Sequence, residues 1–304
     1  MADPVASGTD AGAAVLFGLG ATKAGTSWLY RYLAGHPDCH LRTVKELHFF
    51  DADAPEKLKF QLRQLQGRKV KLTQSLADAL PVGGTEWRRI DRQLRDVEAL
   101  LAVQRSRARS DYMVYLTEGQ GTKSLVADIT PAYALLPEAT LAEMAGLSAR
   151  TRFVYLMRDP VARLWSHVRM LAARAAGRGA GVVAAVGEVF ETVMAGRDPG
   201  VTDRGDYRAA LERFDRAIPE GRLHVAFFEE LFSGDTLARL CAFAGIAPVE
   251  GRYDRKVHEG VRVDMTAAQR ARALAMLRPQ YDYVAARMGR LPDPWAASLA
   301  GEAG

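Results

Sequence analysis

The chain has 304 residues, of which 48% are hydrophobic and 25% are charged, and its formal net charge is +5. This length allows a large core, either in one α/β domain or in two small ones. The basic excess suits an anionic cofactor or an acidic polymer, but it is weak evidence for nucleic-acid binding because no Lys/Arg block is interleaved with aromatic residues. The two cysteines, Cys39 and Cys241, imply no disulfide framework and are typical of reduced thiols in a cytosolic protein.

The sequence shows no targeting or membrane-spanning segment. Residues 1–13 are small and polar and lack both a basic start and a long apolar run, so they predict a disordered lead and not a signal peptide. No apolar run reaches the length of about 18 residues that a membrane span needs. We therefore expect a cytoplasmic protein without a membrane partner, in which residues 14–304 form a single domain.

Apolar, β-prone runs alternate with segments of helical spacing along the chain. Such alternation implies βαβ units, and it predicts a P-loop-like three-layer α/β fold with a central parallel sheet flanked by helices. Right-handed crossovers would bring the carboxyl ends of the strands to one edge, where a ligand should bind. The predicted strands are 15–20, 39–43, 124–129, 152–157 and 223–228. The predicted helices are 26–33, 86–102, 139–145, 161–173, 182–194, 207–217, 236–244, 266–277 and 280–288.

An early stretch, VLFGLGATKAGTSWL, joins an apolar strand to a helix through a glycine-rich turn. This arrangement points backbone N–H groups and the helix dipole at a bound phosphate. Gly20 and Gly25 have the spacing of the glycines in the nucleotide-triphosphatase loop. Thr26 stands where that loop has its lysine, and Lys23 lies inside the turn, where it can reach the bridging oxygen beside the phosphate. Thr26 and Ser27 offer hydroxyl and N–H groups to the outer oxygens; a plain glycine turn with a solvated lysine is the alternative.

A second stretch, RFVYLMRDPVARLWSHVRM, places Arg158 directly after a buried strand. Ser166 follows about two helical turns later. An arginine fork and a hydroxyl at this spacing can hold a second phosphate at a set distance from the first loop. The alternative is a structural salt bridge between Arg158 and Asp159.

A third stretch, VKELHFF, sets Glu46 between Lys45 and the aromatic residues Phe49 and Phe50. A carboxylate beside apolar surface has its pKa raised toward the range that suits a general base. The position of Glu46 after the phosphate-binding turn favours a catalytic role over that of an ordinary surface charge.

The string TKAGTSWL resembles the phosphosulfate-binding loop of sulfotransferases that use 3'-phosphoadenosine 5'-phosphosulfate (PAPS). The RDP and KELHFF strings match the same family, and KELHFF is more similar to the heparan-sulfate and bacterial carbohydrate branch than to the phenol branch. The resemblance implies transfer of a sulfuryl group from PAPS to a hydroxyl or amine of a saccharide or small metabolite. The implied second product is adenosine 3',5'-bisphosphate.

The resemblance also implies roles for individual residues. Arg158 and Ser166 match the pair that binds the donor's 3'-phosphate, although Val168 stands where the family usually has a tyrosine. Glu46 matches the catalytic base, and His48 is the second candidate because phenol-type relatives use a histidine. The loop residues implied to bind the donor are Lys23, Ala24, Gly25, Thr26, Ser27 and Trp28.

Two further stretches match the family less closely. VADITPAYALLP carries Asp128 and Tyr133, which we take as candidate acceptor contacts, although Ile129 replaces the lysine that relatives carry there. A late basic loop contains Arg255 and Lys256, which the resemblance implies as donor contacts because relatives close a similar loop over the nucleotide. A solvated charged loop is the alternative for these two residues.

Residues 55–120 match no family string and read as a helix-rich, charged insertion or lid that shapes the acceptor site. Its many arginines form either a basic face for an acidic acceptor or a solvated helix face.

The proposed chemistry needs no metal, because no Asp/Glu cluster has metal-ligand spacing. The leading alternative is a P-loop kinase that uses ATP and Mg²⁺, with Asp128 as its metal ligand, but it requires a lysine directly after Gly25. A non-catalytic nucleotide-binding module and nucleic-acid binding through the arginine-rich helices are the remaining alternatives.

Overall fold

The computed structural model describes residues 12–79, 84–177, 181–251 and 262–301. Residues 1–11 of the predicted lead lie outside these ranges. The same holds for Arg255 and Lys256, so their predicted contacts with the donor stay predictions.

Five parallel strands form the central sheet: β1 (Ala14–Gly20), β2 (Cys39–His40), β3 (Leu125–Ile129), β4 (Thr151–Met157) and β5 (Leu223–Phe227). Their order across the sheet is β2-β3-β1-β4-β5. Every residue of β1 and β3 is buried, as expected of apolar central strands whose two faces are both covered by helices. The predicted α/β fold, with a central parallel sheet flanked by helices, is confirmed.

Twelve α-helices fall within the described ranges, and short 3-10 turns follow Phe49, Thr130 and Phe227. The first six helices are α1 (Thr26–Ala34), α2 (Pro55–Ala79), α3 (Gly84–Ser106), α4 (Arg109–Thr117), α5 (Glu138–Ala145) and α6 (Pro160–Ala176). The other six are α7 (Gly181–Met194), α8 (Pro199–Asp203), α9 (Tyr207–Ala217), α10 (Gly234–Ala244), α11 (Ala267–Met288) and α12 (Asp293–Ala300).

Helices α2 and α3 form a long hairpin within the segment predicted as an insertion. Leu65 is the one fully buried side chain of α2, whereas the second half of α3 buries Val97, Leu100 and Leu101. The hairpin is therefore anchored to the core through α3, which packs on α4, and α4 packs on β3.

Helix α11 differs from the prediction, because the expected break near residue 278 does not occur. The helix continues through Pro279, and its buried residues Ala273, Leu277, Tyr281 and Val284 form one stripe on both sides of the proline. A proline inside a helix costs about 3 kcal/mol or more. Packing of this continuous stripe outweighs that cost.

The parallel direction of the strands brings four chain turns to the same edge of the sheet. At this edge β1 enters the loop before α1, and β4 enters the turn before α6. The strand β3 leads to Thr130, and β5 leads to Phe228. The residues that the sequence singled out after these strands are thus gathered at one end of the fold.

Candidate active site

The loop that the sequence predicts to bind phosphate, residues 20–25 and named the phosphate loop for that prediction, connects β1 to α1. Its N–H at Ala21 donates to the carbonyl of Leu156 in β4 at 2.7 Å, and its N–H at Ala24 donates to the carbonyl of Ala21 at 3.1 Å. In the first turn of α1, all of which the structure describes, there is no acidic residue and no side-chain cap. The N–H groups and the dipole at this helix end are therefore available to an anion.

Gly25 ends the phosphate loop with a φ of 89°, in the left-handed region. A Cβ atom at this position would lie 2.5 Å from the side chain of Phe228, which follows β5. Glycine is thus required both by the backbone conformation and by the close approach of an aromatic ring. The ring of Phe228 packs against the phosphate loop, and the sequence did not indicate this contact.

Arg158 lies beside the phosphate loop at the end of β4. Its guanidinium donates to the carbonyl of Lys23 at 3.3 Å, and its Cζ lies 4.9 Å from the centre of the Phe228 ring. The alternative ion pair between Arg158 and Asp159, both of them described, does not form. Asp159 instead caps α6 by accepting from the N–H of Ala162 at 2.7 Å. Lys23 and Arg158 therefore lie side by side at the carboxyl edge of the sheet, in the region that we call the cleft.

Positive charge accumulates around Lys23. Burial lowers the pKa of Lys23, and four nearby cations lower it further: Arg158, Arg169, Arg174 and Lys45. Burial also lowers the pKa of Arg158. The cations around Lys23 are offset only in part, by Glu46 at Lys45 and by Glu229 at Arg158, and a bound polyanion would stabilise their charged forms.

The other predicted donor contacts lie on the two helices that border the cleft. Ser27 on α1 and Ser166 on α6 are half-buried. Thr26 is 5% exposed, so its hydroxyl is less accessible than the sequence suggested. Trp28 stacks on Tyr32 of the same helix with ring centres 5.4 Å apart.

The Glu46 loop, residues 44–52, carries a chain of charged side chains. An oxygen of Asp51 lies 2.9 Å from Nδ1 of His48, and Nε2 of His48 lies 3.7 Å from an oxygen of Glu46. Lys45 forms an ion pair with the other oxygen of Glu46. The two candidate bases are thus partners in one network.

These contacts move the two pKa values in opposite directions. Burial raises the pKa of Glu46, but hydrogen bonding to His48 and the charge of Lys45 outweigh burial and bring it to about 2. Burial lowers the pKa of His48, but Asp51 and Glu46 outweigh burial and raise it to about 9. The predicted rise of the Glu46 pKa is therefore wrong, because the neighbouring aromatic rings turn into the core and the carboxylate meets two cations instead.

Asp128 and Tyr133 support the Glu46 loop from the core and are 1% and 0% exposed. Asp128 accepts hydrogen bonds of 2.6–2.8 Å from three hydroxyl groups: Thr130, Tyr133 and Tyr112. Thr130 also accepts from the N–H of Leu47 at 2.9 Å, and Tyr133 accepts from the N–H of Phe49 at 3.0 Å. Both residues are enclosed and already bonded, and their contact with the acceptor stays a prediction.

Sequence reasoning missed several residues of this site. Asp51 could have been found, because it follows His48 by three residues in the same string. Arg169 lies in the RFVYLMRDPVARLWSHVRM stretch and Phe228 ends the predicted strand 223–228, but neither residue was singled out there. Each reaches the cleft only through the sheet topology and the course of α6.

In the ranges that the structure describes, no group of three or more His, Cys, Asp or Glu residues is arranged to hold a metal ion. No helix within those ranges has the length and apolar character needed to cross a membrane. Cys39 and Cys241 are buried, and neither forms a disulfide.

The chain matches the model of the sulfotransferase family over residues 16–250. A crystal structure of a sulfotransferase from Alicyclobacillus acidocaldarius has a TM-score of 0.60 and 20% identity, over 92% of this chain and 98% of that chain. The sulfotransferase domain from the curacin biosynthetic pathway has a TM-score of 0.48 and 20% identity, over 79% of this chain and 75% of that chain. A search of curated proteins found no match. Because the family match spans the phosphate loop, the Glu46 loop and Arg158, the chain belongs to the sulfotransferase family, whose enzymes transfer sulfuryl groups.

Proposed function

We propose that the protein transfers the sulfuryl group of PAPS to a hydroxyl or amine of a saccharide or small metabolite. The observation that carries this proposal is the hydrogen bond from Arg158 to the carbonyl of Lys23, which joins the two predicted phosphate sites in one cleft. The carbohydrate character of the acceptor rests on the resemblance of the KELHFF string.

The residues of the cleft fit a donor that carries several negative charges. Positive charge surrounds Lys23, and the open end of α1 can receive the 5'-phosphate through the N–H groups of residues 24–27. Arg158, with Ser166 on the following helix, would hold the 3'-phosphate. The half-buried ring of Phe228 provides aromatic surface beside Gly25 of the same loop.

Glu46 is a better candidate for the base than His48. With a pKa of about 9, His48 already carries its proton at neutral pH and cannot accept another. Glu46 is ionised there and can accept one. Its low pKa makes it a weak base while Lys45 is paired with it, and attraction of Lys45 toward an anionic donor would strengthen it.

PAPS supplies the sulfuryl group when it is bound. In the reaction that we propose, a bond forms between the acceptor atom and sulfur while the bond from sulfur to the bridging phosphate oxygen breaks. Glu46 takes the acceptor proton, and Lys23 stabilises the negative charge that develops on the bridging oxygen. The N–H groups of the phosphate loop hold the 5'-phosphate throughout, which is electrostatic preorganisation.

The geometry of Asp128 argues against the kinase alternative. That carboxylate is enclosed and accepts hydrogen bonds from three hydroxyl groups, so it presents no oxygen to a metal ion at the cleft. The position of Lys23 inside the loop, and not after Gly25, points the same way.

Calorimetry with three nucleotides tests the donor. Adenosine 3',5'-bisphosphate should bind more tightly than adenosine 5'-monophosphate by about tenfold or more, since charge-assisted hydrogen bonds to the 3'-phosphate contribute about 1.5–3 kcal/mol. Arg158→Ala should remove most of this preference. Tighter binding of ATP with Mg²⁺ than of the bisphosphate would favour a kinase instead.

A further inference from the structure

The Glu46 loop has an unusual backbone at the two residues that carry its chemistry. Glu46 has a φ of 64° and His48 a φ of 52°, both in the left-handed region that residues other than glycine rarely adopt. Such conformations persist only where the surroundings hold them in place.

Gln104, in the last turn of α3, holds the segment from the side of the helical hairpin. Its Nε2 donates to the carbonyl of Leu47 at 2.8 Å and to the carbonyl of His48 at 3.1 Å. These are the carbonyl groups on either side of the His48 residue. The side chain of Gln104 is 0% exposed, so water cannot replace it in these bonds.

Arg107 fixes the orientation of the Gln104 amide. Its Nη1 donates to Oε1 of Gln104 at 2.8 Å, and its other terminal nitrogen donates to the carbonyl of Phe49. A guanidinium is a donor only, so the amide oxygen must face Arg107 and the NH₂ group must face the loop. Arg107 also lies over the Phe49 ring at 4.4 Å and has a positive φ of 57°.

We infer that Gln104 is a positioning residue, which holds the backbone of Glu46 and His48 in the conformation that aligns their side chains, and that Arg107 locks Gln104 in place. The helical hairpin thereby contributes directly to the active site as a support of the Glu46 loop. This inference rests on the proposed function only in assigning the role of base to Glu46.

Replacement of Gln104 by methionine tests the inference, because Gln104→Met keeps the volume and removes both N–H donors. The readout is the titration of His48, followed by NMR of histidine-labelled protein and assigned with His48→Gln. The groups that face His48 are Glu46 and Asp51 of its own loop and Asp128 of β3. We expect a pKa of about 9 in the native protein and a fall toward the ordinary value of 6.5 in Gln104→Met.

The affinity for adenosine 3',5'-bisphosphate should change by less than about twofold in Gln104→Met, since Gln104 contacts no residue of the phosphate loop. Gln93→Met is the matched control, because it removes a glutamine from the same helix at a half-buried position that contacts Arg89 and not the loop. An unchanged His48 titration in folded Gln104→Met would overturn the inference, even if the melting temperature fell.

Arg107→Lys provides a second variant if Gln104→Met does not fold. It keeps the positive charge but loses the fork that joins Gln104 to the Phe49 carbonyl, so the His48 pKa should again fall. An unchanged pKa in Arg107→Lys would then overturn the inference. Failure of the native protein to bind the bisphosphate would contradict the proposed function but leave the His48 titration readable, so the two failures are distinct.

Discussion

At the scale of single residues, His48 and Glu46 stabilise each other's charged forms, and this couples folding to pH. The pKa of Glu46 falls from 4.5 to about 2 on folding, so its contribution is complete above pH 4.5 and is lost as the pH falls toward 2. The pKa of His48 rises from 6.5 to about 9, so its contribution is complete below pH 6.5 and is lost as the pH rises toward 9. Both contributions are complete between pH 4.5 and 6.5.

We therefore predict that the free energy of unfolding decreases between pH 6.5 and 9 through deprotonation of His48. The loss should be on the order of 2 kcal/mol, allowing for the partial exposure of the imidazole. Urea denaturation at several pH values measures it, and His48→Gln should abolish this part of the decline. His224→Gln is the control, because burial lowers the pKa of His224 and it should titrate below this range. An equal decline in His48→Gln would contradict the prediction.

At the scale of elements, the turn between β4 and α6 is held by parts of the chain far from it. The hydroxyl of Tyr207 in α9 accepts from the N–H of Arg158 and donates to the carbonyl of the same residue. Glu229 accepts from the N–H of Asp159 at 2.9 Å. Tyr281 of α11 donates to the carboxylate of Asp159 at 2.7 Å. Helix α11 begins at residue 267 and thus lies beyond the family match, which ends at residue 250.

Tyr281→Phe should therefore weaken recognition of the 3'-phosphate without touching the donor. Loss of one hydrogen bond of about 1 kcal/mol to the Asp159 cap should reduce the preference for adenosine 3',5'-bisphosphate over adenosine 5'-monophosphate by about threefold to tenfold. Calorimetry with both nucleotides measures this preference. Tyr283→Phe, which removes a hydroxyl from the same helix at a half-buried position, should leave it unchanged. If Tyr281→Phe preferred the bisphosphate as strongly as the native protein does, α11 would not position Arg158.

The same elements show what sequence reasoning can reach. The strand runs, the glycine turn after β1 and the position of Arg158 after β4 follow from patterns within a few residues. The structure has them close to the predicted positions, except that β2 ends at His40 and not at residue 43. The contacts that set the site are not local: Gln104 is 56 residues from His48, and Tyr281 is 122 residues from Asp159. The prediction of the Glu46 pKa failed for a different reason: its partners Lys45 and His48 are close in sequence, but the directions of their side chains do not follow from the pattern of residue types.

At the scale of the whole molecule, the net charge is only +5, but several cations lie close together at the carboxyl edge of the sheet. Lys23 is surrounded there by four other cations, and burial adds to their effect on its pKa. In a partly buried cleft such charges repel one another more strongly than they would in water. Binding of a polyanion relieves this repulsion, so donor affinity should depend on the field of the cleft as well as on direct contacts.

The affinity for adenosine 3',5'-bisphosphate should therefore fall as salt is added. Raising the ionic strength from about 0.01 M to about 1 M shortens the screening length from about 30 Å to about 3 Å, which removes the attraction of cations that do not touch the ligand. Arg174→Gln should weaken binding at low salt and reduce the salt dependence, because Arg174 is exposed and acts on Lys23 through its charge. Arg208→Gln is the matched control, since Arg208 is an exposed arginine already paired with Glu212. Salt-independent affinity in the native protein, measured by calorimetry, would show that direct contacts alone hold the nucleotide.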